Sequence, residues 1–179
     1  QLSVSALALG TVELGMDYGI DAPGHFGRPS EMAAIDLVHA ALDAGINFID
    51  TARAYGESEA VLGTALQGRR DRVVLATKVA LHQPDGSVPT GPALRHHMLD
   101  SLETSLRLLQ TDYVDLWQIH NVDAAVLAQH PEIAGIFDEV RRSGKIRAGG
   151  GSFYGAELPA QALDLDIFDV LQVTFSVFD

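Results

Sequence analysis

Cysteine is absent from this 179-residue chain. That excludes disulfide bridges and thiolate chemistry, and leaves the redox compartment open, because a chain without thiols suits either side of a membrane. Basic residues are scarce. The 12 Lys and Arg stand against 24 Asp and Glu, a formal charge of −12; nucleic acid and anionic membranes attract the opposite balance, so neither is expected as a partner. No apolar run approaches the roughly 18 residues that a bilayer-spanning helix needs, and no signal-peptide pattern opens the chain. The expectation is a soluble, cytoplasmic protein. What is abundant is apolar side chain: a hydrophobic content of 47% is enough to bury a sizeable core, and nothing divides residues 1–179 into more than one domain.

Strand-like and helix-like stretches take turns along the chain. Leu7 to Gly10 is a short apolar run, followed by a Gly- and Pro-rich loop from Gly15 to Pro29 and by Ser30, which suits a helix N-cap. Ala33, Ala34, Leu37, Val38, Ala41 and Leu42 repeat on one helical face, and Gly45 stops that helix. Strands are expected at 46–49, 73–76, 113–119, 146–151 and 168–173. Helices are expected from near Glu57, through the Leu94, Met98, Leu102, Leu106 and Leu109 stripe, through Ile133, Ile136, Phe137 and Val140, and around 160–163.

Strict alternation of strand and helix implies parallel strands joined by right-handed crossovers. Two architectures satisfy it, the closed barrel and the open doubly wound sheet. The first strand runs into Gly10-Thr11-Val12-Glu13-Leu14-Gly15, which lacks the three-glycine spacing that brings a pyrophosphate to a helix N-terminus. Polar residues instead gather at the C-terminal tips of successive strands, at Asp50, Lys78, His120 and Ser152, as barrel sites require. The expected fold is therefore α/β, a (β/α)8 barrel of the triosephosphate isomerase type, with about six of its eight βα units in this chain.

The run Asp50-Thr51-Ala52-Arg53-Ala54-Tyr55-Gly56-Glu57-Ser58-Glu59 delivers a carboxylate and a phenol together at the end of a buried strand. With Gly10-Thr11, Ala76-Thr77-Lys78, Asp112 to Leu116 with Gln118 and His120, Gly144 to Arg147, Ser152 and Gln172 in order behind it, the chain resembles the aldo-keto reductases along its whole length. The resemblance makes Asp50, Tyr55, Lys78 and His120 the catalytic set. It places Gly10, Thr11, Asp50, Ser152 and Gln172 at the cofactor, the last two on the nicotinamide carboxamide. It implies NADPH, with NADH open, and a small carbonyl compound as substrate; self-association into a homo-oligomer is left open.

The chemistry of such a set can be argued from the residue types. A carbonyl that receives hydride becomes an alkoxide, so the site must supply a proton and stabilise negative charge on oxygen. Tyrosine ionises near pH 10, and the expectation is that Lys78, held by Asp50, favours the phenolate and makes Tyr55 a better acid, while His120 orients the carbonyl. Hydride must come from a nicotinamide, because no side chain donates one. Taken singly, Asp50 could be a helix cap, Tyr55 a packing residue and Lys78 a solvated charge; their coincidence at strand tips favours chemistry.

Other features carry less. His25, His96 and His97 lack a ligand set with zinc-like spacing, so no metal is expected. Gly149-Gly150-Gly151 sits inside a strand and reads as close backbone packing rather than a phosphate cradle, and Asp164, Asp166 and Asp169 read as a solvated loop. Leu14, Tyr18, Phe26, Leu81, His82 and Trp117 are candidates for an apolar pocket, with Trp117 alternatively in the barrel wall. Phe153 stands where the family has asparagine, so nicotinamide is expected to be held differently there. The chain starts at Gln1 and stops at Asp179, just past the sixth strand; the expectation is that it is part of a longer one, whose last strands carry the pyrophosphate and adenosine ribose. Two other function classes remain, a dehydratase or isomerase that reuses the same acid and base groups, and a regulatory subunit of reductase ancestry.

Overall fold

The structure, a computed structural model, describes residues 2–19, 26–155 and 157–175; His25 and part of the long first loop lie outside them. The chain runs β1 (Ala8–Gly10), α1 (Val12–Gly15), α2 (Glu31–Asp43), β2 (Phe48–Asp50), α3 (Ser58–Ala65), a 3-10 turn (Arg70–Arg72) and β3 (Val74–Val79). It continues through α4 (Gly91–Leu109), β4 (Val114–Ile119), α5 (Ala124–Gln129), α6 (Glu132–Arg142), β5 (Ile146–Phe153), α7 (Glu157–Leu163) and β6 (Val170–Val173). The six strands are all parallel and pair in chain order, β1-β2-β3-β4-β5-β6. The sheet curls: Gln172 on β6 brings its Nε2 to 3.5 Å of Asp50 Oδ2 on β2, across the concave face. This is an arc of a (β/α)8 barrel.

Strands covered on both faces show no polar alternation, and every residue of β3 and β4 is buried. Their side chains divide by the two-residue period of a strand. Ile49, Leu75, Val79, Trp117 and Ile119 belong to the large core beneath the helices, while Ala76, Leu116 and Ala148 form a small cluster on the other face, with Phe48 and Val170 packed on it. Register keeps Asp50 opposite Ala76, Lys78 opposite Gln118, and Ser152 opposite Gln172. These polar groups share the inner face and form the layer above the apolar one.

Helix α2 starts where Ser30 accepts a hydrogen bond from Ala33 N, and Gly45, at φ +90°, takes the left-handed turn that ends it. Its buried line is Ala34, Val38 and Leu42. That is narrower than the sequence pattern suggests, because Leu37 is exposed. The stripes of α4 and α6 are buried as expected. Two short helices were not anticipated, α1, which lies between the first strand and the expected loop, and α5, capped by the Asp123 side chain on Ala125 N.

The three-glycine run in β5 is close packing. A Cβ at Gly149 would lie 2.8 Å from Phe137 Cδ1, at Gly150 2.8 Å from the Val170 carbonyl, and at Gly151 2.8 Å from Val122 Cγ2. Phe137 cannot easily yield, since it stands edge-on between Trp117 and Phe168 at centroid distances of 5.4 and 6.0 Å. Gly149→Ala is therefore expected to cost about 1–3 kcal/mol by overpacking, measured by urea denaturation. Adding Phe137→Leu should return part of that loss by opening room; a tolerated Gly149→Ala would contradict the packing account.

Candidate active site

A lysine buried to 2% exposure is held by three acceptors. Lys78 Nζ donates to Asp50 Oδ1 and Oδ2, each at 2.7 Å, and to the Thr51 carbonyl at 3.0 Å, which uses all its N–H groups. Burial lowers the Lys78 pKa, while the charge and hydrogen bonds of Asp50 oppose that fall. Asp50 thus works against the loss of the ammonium proton.

Tyr55 stands beside this pair. Lys78 Nζ lies 5.1 Å from the centre of its ring, and the ring meets His120 edge-on at 5.6 Å. The expectation that Lys78 makes this phenol more acidic fails: its pKa is pushed up to about 12, first by burial, then by the carboxylate of Asp50 and by Tyr18 and Tyr154. Burial and the Asp50 charge act in the same direction and outweigh the nearby ammonium. The His120 imidazole is held below its ordinary value of 6.5 by burial and then by the Lys78 charge, against a smaller pull from Asp50. At neutral pH the site presents a protonated phenol and a neutral imidazole.

The loop that carries Tyr55 is pinned from several sides. Hydroxyls pass one direction of donation from Thr51 to Ser58 at 2.9 Å, from Ser58 to Thr11 at 2.8 Å, and from Thr11 to the Asp50 carbonyl at 2.9 Å. Glu59 is fully buried and accepts from Thr77 Oγ1 and from Arg53, each at 2.6 Å. Gly15 sits so close that a Cβ there would fall 1.9 Å from the Tyr55 carbonyl. Gly56, at φ +54°, would push a Cβ to 2.4 Å from the Gly15 carbonyl, so both positions require glycine.

Ser152 and Gln172 complete the inner face. A cavity of about 160 Å³ has Tyr55, Lys78, His120, Ser152 and Gln172 among its lining. An adjoining one of about 250 Å³ is lined by Val12, Met16, Tyr18, Tyr55, His120 and Tyr154. A larger cavity, about 810 Å³, lies elsewhere, against Leu14, Arg28, Glu57 and Arg107; it holds none of these groups, so chemistry and not size locates the site. Thr11 is buried, with its hydroxyl committed to the scaffold, while Gly10 is exposed with open space where a Cβ would stand.

Several sequence expectations change. Leu81 and Trp117 are core residues rather than pocket lining, and Leu14 borders the 810 Å³ cavity instead of the site; Trp117 is wholly buried against Phe137 under the helices. Tyr18 does line the second cavity, and Tyr154, which sequence reasoning passed over, faces it from the end of β5. Phe153 packs its ring against Phe168 in the outer core. His97 bonds the Ala80 carbonyl, and among the described residues no group of three or more His, Asp or Glu could hold a metal ion. Asp169 is no free loop residue, since it accepts from Arg141 at 2.5 Å and from Gly149 N at 2.8 Å. Among the described residues no helix is long and apolar enough to cross a membrane. The buried Glu59 was missed, although it precedes Leu62 by three residues on the buried face of α3.

The His120 titration tests the electrostatics. In the native state its NMR midpoint should fall below 6.5, and Lys78→Met should move it upward by removing the cation and leaving the Asp50 charge. The unfolded chain takes up this proton at higher pH than the native one, so the His120 contribution to stability falls as pH drops through 6.5 and below. A midpoint unmoved by Lys78→Met would contradict the arrangement.

Comparison with known proteins agrees with the geometry. The sequence matches the Aldo/keto reductase family over residues 6–179. It is 39% identical over 160 residues to aldo-keto reductase YhdN of Bacillus subtilis, covering 87% of this chain and 45% of that protein. The fold superimposes on PA4992 of Pseudomonas aeruginosa, assigned as an aldo-keto reductase, with a TM-score of 0.82, 35% identity, and coverage of 99% of this chain and 66% of that one. It also superimposes on an aldo-keto reductase of Klebsiella pneumoniae in complex with NADPH, with a TM-score of 0.71, 29% identity, and coverage of 96% and 55%. The chain spans about half the length of YhdN. On the site and these matches together, the chain belongs to the aldo/keto reductase family of oxidoreductases.

Proposed function

We propose that this site reduces an aldehyde or ketone to an alcohol with a nicotinamide cofactor, NADPH in preference to NADH, and that Tyr55 is the proton donor. The observation that carries the reading is the Tyr55 phenol edge-on to His120, beside the Asp50–Lys78 pair, in a cavity shared with Ser152 and Gln172. An alkoxide takes its proton back from water whose own pKa is about 15.7. A phenol near 12 therefore gives up its proton to an alkoxide downhill, and the raised value does not disqualify Tyr55.

The residues present fit the cofactor's reactive end. Gln172 and the hydroxyl of Ser152 are register partners at the barrel mouth and share a cavity with Tyr55; they would hold the carboxamide. When bound, the nicotinamide supplies hydride. The neutral imidazole of His120 donates a hydrogen bond to the substrate oxygen and fixes it near the phenol. As charge grows on that oxygen, Tyr55 passes its proton to it, and Lys78 stabilises the phenolate left behind. Asp50 keeps Lys78 charged and in place. The preference for NADPH follows the Klebsiella pneumoniae relative, which is in complex with it. Phe153 borders this cavity but packs its ring in the core, so its side chain would take no part in holding the carboxamide.

Tyr55→Phe removes one oxygen and keeps the ring against His120. It should lower kcat for NADPH-dependent carbonyl reduction by about 10²–10⁴-fold, with the Kd for NADPH little changed, followed by absorbance of the reduced nicotinamide. Retained turnover in Tyr55→Phe would remove the phenol from the mechanism.

A further inference from the structure

Gln118 on β4 is 1% exposed and takes no part in the reaction just described. Its Nε2 donates to Gln172 Oε1 at 3.1 Å, and Gln172 Nε2 comes to 3.5 Å of Asp50 Oδ2. Among the described residues, Gln118 Oε1 is buried without a hydrogen-bond partner.

The direction of this chain is forced. An ionised carboxylate only accepts hydrogen bonds, so the end of the Gln172 amide that faces Asp50 must be its NH2. The Gln172 carbonyl then faces Gln118, which must answer with its own NH2. Turning either amide over, or both, sets two oxygens or two NH2 groups against each other. Gln118 pays for this with a buried, unpaired carbonyl, a cost that a purely structural residue would shed by becoming apolar.

We propose that Gln118 is a positioning residue for the cofactor. It holds one side of the Gln172 carbonyl and so fixes the amide with its NH2 end, beside the Ser152 hydroxyl, toward the barrel mouth. The group so positioned is the one that would meet the nicotinamide carboxamide. The cofactor half of this inference rests on the reductase reading; the amide relay does not.

Gln118→Met keeps the length of the side chain and removes the amide, and Gln118→Glu, which cannot donate when ionised, is a second variant should the first fail to fold. The first readout is the Gln172 side-chain NH2 resonance, assigned with Gln172→Ala, which should shift in either variant. The second is binding. The Kd for NADPH should rise about five- to tenfold, the worth of one oriented hydrogen bond, while 2′-phospho-ADP-ribose, which lacks the nicotinamide, binds as to the parent. Gln118→Met should melt no lower than the parent, having lost its unpaired carbonyl. An unmoved Gln172 resonance, unchanged NADPH binding, or equal weakening of both ligands would overturn the proposal. If the parent itself binds no NADPH, the reductase reading fails instead, and the resonance alone decides the relay: shifted supports it, unshifted overturns it.

Discussion

The ion pair between Asp50 and Lys78 is the constraint on which the rest of the site depends. An ammonium at 2% exposure is costly unless its partner and hydrogen bonds replace water. Adjacent parallel strands provide that here, because Asp50 ends β2 opposite Ala76 and Lys78 lies two residues further along β3 on the same face. The third acceptor is the carbonyl of Thr51, the residue whose hydroxyl begins the chain through Ser58 and Thr11 back to the Asp50 carbonyl. The pair that sets the electrostatics therefore also anchors the loop that presents Tyr55.

That arrangement decides what each group can do. Both Asp50 oxygens bond Lys78, and burial followed by the Asp50 charge raises the Tyr55 pKa. His120 feels burial and the lysine together and stays uncharged at neutral pH. A firm proton donor and a neutral hydrogen-bonding imidazole suit an oxygen that turns negative during the reaction, and suit poorly a site that must first abstract a proton. The tyrosines at the mouth add to this by raising the Tyr55 pKa further.

Much of this was legible in the sequence because parallel strands covered on both faces leave unbroken apolar runs, and polar residues at their ends stand out. Asp50, Tyr55, Lys78 and His120 converge as their positions imply. Trp117 was placed ambiguously, yet strand period settles it: Gln118 faces inward, so its neighbour faces the helices. Helix α1 was hidden because it is four residues long and ends on a glycine, and α5 because six residues, half of them alanine, carry no periodic stripe. The rise in the Tyr55 pKa was not legible at all, since no pattern in the chain reveals how far the phenol is buried beside the Asp50 charge. Nor does spacing disclose that Gln118 and Gln172, separated by 54 residues, share a hydrogen bond.

The most direct test of the account is the fate of the hydride. The purified protein would be incubated with NADPH carrying deuterium at C4 of the nicotinamide and with a mixture of aldehydes and ketones, and the products examined by mass spectrometry. The account predicts alcohols with one deuterium on the former carbonyl carbon, and none when Lys78 is replaced by Met. Unlabelled products, or alcohol formed equally by Lys78→Met, would contradict it.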